Sequence, residues 1–226
     1  MIILYDKVGL RANCSVADIG SGTGIFSRLL LERGSRVIAV EPNEEMRAES
    51  ERMLQGSPDF RAVPGSAEFT GLPDRSVEFI VCAQSFHWFD RTAAKTEFQR
   101  ILRPGGKVIL IWNSRLERGT PFREAYERLI QTYGTDYRTV NHRNISSKEL
   151  LAFFKDGTMR EARFPMSQEF DFEGLKGRLL SSSYIPLPGH PNYDPMMEEL
   201  RNLFDRHNQN GRVSIEYETL LYWGEV

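Results

Sequence analysis

The chain has 226 residues, enough for one sizeable hydrophobic core with a small appended lobe. Its 40% hydrophobic and 27% charged residues are ordinary for a folded globular protein. A formal net charge of −2 supplies no general attraction to nucleic acid or to an anionic membrane, so neither is expected as a partner.

Taken in chain order, Ser15–Ile19 reads as a short apolar strand. Ile25–Arg33 has apolar residues at 25, 26, 29 and 30, one face of a helix that Gly34 ends. Arg36–Val40 is a strand stopping at Glu41–Pro42. Glu44–Gln55 is a helix charged on most sides, with Met46, Met53 and Leu54 as its apolar contacts. Asp59–Val63 is a brief strand and Val77–Ala83 a strongly apolar one. Ala94, Phe98, Ile101 and Leu102 mark the inner face of another helix, Arg103-Pro-Gly-Gly a turn, and Lys107–Trp112 a further apolar strand. Near-continuous apolar strands alternating with amphipathic helices predict an α/β fold, a doubly wound and mostly parallel sheet covered on both faces. Ligands of such sheets bind beyond the carboxyl ends of the strands.

The second half changes character. Thr120–Tyr133 and Ser146–Lys155 read as helices, with Phe153 and Phe154 as core contacts of the latter. Arg160–Phe172 reads as a strand and Pro195–Asn208 as a helix with Met197, Leu200, Leu203 and Phe204 inward. Val213, Ile215, Tyr217, Thr219 and Leu221 alternate with Ser214, Glu216 and Glu218, the pattern of a half-exposed strand. These late strands, split by helices and the loop PLPGHPNYDP, are expected to form an antiparallel edge of the sheet.

Cys14 and Cys82 lack CxxC spacing, and His87, His142, His190 and His207 are scattered, so no disulfide framework and no metal site is expected. Only MIIL and Tyr5 precede Asp6 and Lys7, too short for a signal peptide. No apolar run approaches the roughly 18 residues of a membrane span. A cytoplasmic compartment is the expectation.

The chemistry concentrates in VADIGSGTGIF, Val16 to Phe26. A strand, a glycine loop and a helix form a general device for holding a ligand at a helix N-terminus. The dinucleotide version spaces its glycines G-x-G-x-x-G around a pyrophosphate. Here the third glycine arrives early, at Gly24, and Asp18 stands two residues before Gly20. A carboxylate there suits a ligand of positive character and repels a pyrophosphate. Glu41 ends the next strand, 21 residues after Gly20, where an acid can accept hydrogen bonds from both hydroxyls of a ribose. A ribose joined to a cationic, phosphate-free portion describes S-adenosylmethionine.

On these residues the sequence resembles the class I S-adenosylmethionine-dependent methyltransferases, whose first motif has the form of Val16-Ala17-Asp18-Ile19-Gly20-Ser21-Gly22-Thr23-Gly24. Pro64–Asp90, Arg100–Leu110 and the terminal YETLLYWGE look like the small-molecule branch, of the trans-aconitate and ubiquinone-biosynthesis kind. The resemblance implies strand order 3-2-1-4-5-7-6 and S-adenosylmethionine as cofactor, with S-adenosylhomocysteine as product. It also implies a cofactor-binding half over residues 1–114 of a single domain, with residues 115–226 completing the sheet and contributing the acceptor lid and pocket. By the same resemblance Gly20, Ser21, Gly22, Thr23 and Gly24 lie under the methionine part, and Asp18 organises the loop and the amino group. Glu41 takes the ribose, Pro42 and Met46 flank the adenine, and Ser66, Ala67 and Glu68 read the adenine edge. Many relatives carry Asp where Ser66 stands. Gln84 and Ser85 lie where the sulfonium and its methyl group would be. Relatives also carry one or two helices ahead of the first strand. Here about 15 residues precede it, and IILYDKVGL resembles the tail of such a helix. The two expectations are a start cut short or a lid supplied from elsewhere, such as a second chain.

Other readings stand beside these. A glycine loop alone also serves a tight turn or a nicotinamide enzyme, and Glu41 alone an ordinary strand end. Cys82 reads as a small buried hydrophobe and not a nucleophile. His87, in QSFHWFD, is either the general base or part of the pocket wall, and Trp88 and Trp112 are core or pocket lining. An acceptor carboxylate would need a cation, with Arg115, Arg138, Arg143 and Arg178 as candidates. The expected activity is in-line methyl transfer to a small molecule by a monomer or homodimer. The alternatives are a cofactor-binding scaffold without turnover and a methyltransferase acting on protein or RNA.

Overall fold

The computed structural model describes residues 3–135, 137 and 145–226. Its strands are β1 (Ser15–Ile19), β2 (Arg36–Val40), β3 (Phe60–Val63), β4 (Val77–Ala83), β5 (Leu102–Arg115), β6 (Arg160–Phe170) and β7 (Val213–Gly224). They form one sheet in the order β3-β2-β1-β4-β5-β7-β6, parallel through β5 and antiparallel from β5 to β7 and from β7 to β6. The helices are α1 (Ile25–Leu31), α2 (Glu44–Leu54), α3 (Arg91–Ile101), α4 (Pro121–Tyr133), α5 (Ser147–Phe153), α6 (Phe172–Leu180) and α7 (Tyr193–His207).

The chain divides into two compact units. Unit 1 comprises residues 1–112, 145–162 and 220–226. Its core is the apolar strand set, with Ala17, Ile19, Ile80, Cys82, Val108 and Leu110 under Phe86, Phe98 and Phe153. Unit 2 comprises residues 113–144 and 163–219, and α4, α6 and α7 pack there around Tyr126, Ile130, Leu175, Leu179, Leu200 and Tyr217. Among the described residues no helix is long and apolar enough to cross a membrane.

Local chemistry explains where the helices start. Asn43 caps α2 by accepting from the Met46 N–H at 2.9 Å, and Asp90 caps α3 by accepting from Thr92 and Ala93 at 3.0 Å. Thr120 caps α4, whose first residue is Pro121, where the missing N–H costs nothing. Ser146 and Glu149 make a reciprocal capping box on α5.

Several expectations are corrected. Arg103-Pro-Gly-Gly is an excursion within β5 and not a turn between elements. Leu102 already pairs with Val77, and pairing resumes at Lys107 with Phe79. Leu102 therefore belongs to the strand. The excursion is tight, since a Cβ on Gly106 would lie 2.9 Å from the Arg103 carbonyl oxygen. In α1 the buried residues are Ser27 and Leu30, while Ile25 is exposed. In α2 only Leu54 of the three apolar residues is buried, and Met46 and Met53 face outward. Helix α7 begins at Tyr193 and buries Met196 more fully than Met197, because Pro195 fits in a first turn that needs no N–H there. Strand β6 stops at Phe170, since Asp171 caps α6 through the Gly174 N–H.

Candidate active site

Register brings the loops together. Ile19 pairs with Val40, so the chain after β1 and the chain after β2 emerge side by side. The N–H groups of Gly20 and Ser21 both donate to the Val40 carbonyl, at 2.9 and 3.3 Å, which folds the glycine loop over the end of β2.

The three glycines have different physical causes. A Cβ on Gly20 would lie 2.6 Å from the Ser85 Cβ, and one on Gly24 would lie 2.9 Å from the Ser50 Cβ in α2. Those two glycines are required by the protein's own packing. Gly22, at φ +56°, is different, because a Cβ there would meet nothing within 4 Å. The backbone is bare at Gly22 and faces open space, as a cradle for a ligand requires.

Carboxylates close the cradle. Glu41 is buried, its Oε2 accepting from the Gly22 N–H and its Oε1 from the Asn43 N–H, each at 2.9 Å. Each oxygen keeps a second acceptor site. Asp18 is 1% exposed and ties the loop to α1 by accepting from the Ser27 hydroxyl at 2.7 Å. Its other oxygen, Oδ1, and the Ser21 Oγ are buried without a hydrogen-bond partner among the described residues. Burial pushes the Asp18 carboxyl up to about 6; the Ser27 hydrogen bonds oppose this and the charge of Glu41 adds to it. Two carboxylates and two orphaned oxygens around a bare backbone fit a ligand with a cationic group and vicinal hydroxyls.

The other expected site residues divide into groups. Pro42 and Met46 are exposed beside this loop, on the first turn of α2 and just before it. Ser66 forms a tight turn with Phe69, its hydroxyl accepting from the Phe69 N–H at 3.2 Å and its own N–H donating to the Phe69 carbonyl. Ala67 is buried, and the Glu68 carboxylate accepts from the Asp90 N–H at 2.9 Å. Thr23 is half-buried within the loop. Gln84 follows β4 exposed and at φ +62°, a strained conformation for a side-chain-bearing residue and one that clusters at functional sites. Ser85 is buried, and its hydroxyl donates to the Ile19 carbonyl at 2.6 Å. It supports Gly20 from below, a role the sequence did not signal.

His87 sits in a short 3-10 turn, Phe86–Trp88, after β4. Its Nδ1 accepts from the Trp112 indole N–H at 3.5 Å, and its ring lies 5.0 Å from that of Trp88. Burial lowers its pKa, so the imidazole is neutral at pH 7. With Nδ1 as acceptor the ring proton resides on Nε2, and accepting a substrate proton there would need a change of tautomer. Cys82 is buried in the core and burial pushes its thiol well up, which excludes a nucleophilic thiolate.

Of the four candidate cations, Arg138 and Arg143 lie outside the described residues. Arg115 and Arg178 both belong to unit 2. A cavity of about 400 Å³ lies in unit 1 near the start of the paired stretch of β5, lined in part by Lys107, Lys155, Trp223 and Glu225. Its lysines are committed, Lys107 to the Val8 carbonyl at 2.8 Å and Lys155 to Glu225 at 3.6 Å.

A sheet of this order, with a glycine loop after β1 clasped by an acid after β2, is the architecture of the class I S-adenosylmethionine-dependent methyltransferases. Residues 17–110 match the methyltransferase domain family. It is 28% identical to an uncharacterized methyltransferase-like protein of Schizosaccharomyces pombe, over 98% of this chain and 86% of that one. It is 44% identical to an uncharacterized methyltransferase of Mycobacterium bovis over 103 residues, which span 46% of this chain and 41% of the relative. Two solved structures share its fold. One is the YcgJ protein of Bacillus subtilis, with TM-score 0.63 and 21% identity, covering 99% of this chain and 97% of that one. The other is the geranyl diphosphate C-methyltransferase of Streptomyces coelicolor A3(2), solved with S-adenosylhomocysteine, with TM-score 0.55, 16% identity and coverage of 100% and 76%.

Proposed function

We propose that the protein transfers the methyl group of S-adenosylmethionine to a small-molecule acceptor. The observation that carries this reading is the open backbone at Gly22, clasped by Glu41 and flanked by the orphaned Asp18 and Ser21 oxygens. When bound, S-adenosylmethionine supplies a sulfonium-activated methyl group for in-line displacement.

The chain's own residues bind and orient. The Gly20–Gly24 loop leaves room for the methionine part, and Asp18 steadies that loop through Ser27 and offers Oδ1 to a cationic amino group. Glu41 accepts the ribose hydroxyls with its remaining acceptor sites, Pro42 and Met46 flank the adenine, and Ser66, Ala67 and Glu68 border its edge. Gln84 and Ser85 lie toward the reacting methyl group. Positioning donor and acceptor away from water can supply on the order of 7–11 kcal/mol of the barrier, so little acid–base chemistry is demanded. A net charge of −2 supports a small acceptor over a nucleic acid.

The test is transfer of labelled methyl from S-adenosylmethionine to panels of small acids, alcohols and amines, beside protein and RNA. Label entering a small molecule is expected. Label entering only protein or RNA, or cofactor binding without any turnover, would overturn the reading.

A further inference from the structure

The loop after β4, residues 84–90, lies wholly in unit 1 and is pinned at both ends. At its start the Gln84 N–H donates to the Ile111 carbonyl at 2.9 Å, and the Ser85 hydroxyl to the Ile19 carbonyl at 2.6 Å. Its middle is the 3-10 turn, closed by the Trp88 N–H on the Ser85 carbonyl at 3.0 Å. Phe89 follows in extended backbone, and a Cβ on Gly20 would lie 3.6 Å from its ring. Ser85 and Phe89 thus back the first glycine of the cradle.

The far end depends on one side chain. Asp90 commits its own carboxylate to the Thr92 and Ala93 N–H groups of α3. Its N–H meets no backbone carbonyl among the described residues and donates to the Glu68 Oε1 at 2.9 Å. Glu68 is half-buried and reaches across from the turn of residues 66–69, the segment expected at the adenine edge. The base of that turn is itself anchored on α3. Thr70 donates its N–H and its hydroxyl to the Glu97 Oε1, at 2.8 and 2.6 Å, and Arg100 holds Glu97 in turn. A Cβ on Gly65 would lie 2.7 Å from the Thr70 carbonyl oxygen, so the turn is closely wound. A carboxylate accepting a backbone N–H makes a stronger bond than two neutral groups do. A fixed turn and a loop that backs the cradle are therefore joined through Glu68.

We propose that Glu68 is a positioning residue for methyl transfer: it ties the adenine-side turn to the loop after β4, so that filling the adenine side fixes the loop that faces the reacting methyl group. This rests on the methyl-transfer reading above. It separates Glu68 from Ser66 and Ala67, which border the adenine itself. A ligand that orders the turn favours the joined arrangement over the loosened one, and only through that difference can it act on the loop.

The test is hydrogen exchange of residues 84–90 in the full chain, read by mass spectrometry without ligand, with adenosine and with S-adenosylhomocysteine. Adenosine is the deciding probe because it carries the adenine and ribose but neither the sulfur nor the amino acid. In the unaltered chain each ligand at saturation is expected to slow exchange of this segment by about tenfold. Glu68→Ala should exchange about tenfold faster without ligand and lose the slowing by adenosine, while its calorimetric affinity for S-adenosylhomocysteine changes by less than about threefold. Glu68→Gln should restore both, since an amide oxygen still accepts the Asp90 N–H. Glu68→Asp, one methylene shorter, should not. Unchanged exchange in Glu68→Ala, or failure of Glu68→Gln to restore it, would overturn the proposal. A loss of affinity of about tenfold or more with exchange unchanged would make Glu68 a reader of the adenine instead. If Glu68→Ala fails to fold, Glu68→Asp decides by the same criteria. Absence of S-adenosylhomocysteine binding in the unaltered chain would overturn the methyl-transfer reading, and ligand-free exchange in the variants would still decide whether Glu68 joins the two loops.

Discussion

The loop after β1 and the tyrosine cluster of unit 2 are both polar, yet they are built in opposite ways. The loop is made of backbone and surplus acceptors: bare Gly22, the orphaned Asp18 and Ser21 oxygens, and Glu41. The cluster is made of side chains, Arg178, Tyr126 and Tyr217, drawn from α6, α4 and β7. An acceptor-rich cradle suits a cationic ligand with hydroxyls. Unmatched buried acceptors thus mark the loop and give the sign of its ligand.

The largest effect should break the loop while sparing the cluster. Gly22→Val places a branched side chain in the open cradle and is predicted to abolish S-adenosylhomocysteine binding while the chain stays folded. Calorimetry beside circular dichroism checks this, and unchanged affinity would make the loop a structural turn.

Glu41 comes next. Charge-assisted hydrogen bonds of this kind are worth roughly 1.5–3 kcal/mol each, reduced here by coupling and solvent access. Glu41→Ala is predicted to weaken the cofactor by about tenfold to a few hundredfold, and Glu41→Gln by less, since an amide oxygen still accepts. Because Glu41 also holds the Gly22 and Asn43 N–H groups, affinity alone would confuse loop loosening with ribose loss. Deoxy analogues separate them. Ribose recognition predicts that the penalty for removing the 2′ or 3′ hydroxyl largely disappears in Glu41→Ala, and a penalty that persists would leave Glu41 as a loop clasp alone.

Much of the first region could be read from residues in line, because a strand, a bare loop and a strand-end acid must occur at fixed spacing. The second region could not. Tyr126, Arg178 and Tyr217 stand 52 and 39 residues apart, and only the packing of α4, α6 and β7 unites them. Helix α6 itself was hidden because Gly174 and Gly177 fall within its nine residues, each costing helix propensity. The support of Gly20 by Ser85 was invisible for the same reason as the cluster. It joins residues 65 apart through adjacent strand ends.

Asp18 gives a smaller effect with a definite sign. Its folded pKa, about 6, exceeds the ordinary 3.8, so its contribution to stability is full below pH 4 and is lost as pH rises through 6. The two units of difference amount to about 3 kcal/mol at most. Denaturant unfolding of the ligand-free chain should therefore show this loss between about pH 4 and 6, and Asp18→Asn should flatten it. An identical pH slope in both would remove Asp18 as its source. The smallest effect is expected at His87, whose imidazole is neutral and engaged with Trp112. His87→Gln should lower turnover by about tenfold or less and leave the pH profile unchanged, whereas a loss of about a hundredfold or more with a lost basic limb would make it the general base.

The central claim is that the cradle at Gly22 and Glu41 is made for S-adenosylmethionine. The most direct measurement is a parallel calorimetric and thermal titration of the unaltered chain with S-adenosylhomocysteine and with NADH. The account predicts saturable binding and a raised melting temperature with S-adenosylhomocysteine and neither with NADH. Stabilisation by NADH without any by S-adenosylhomocysteine would contradict it.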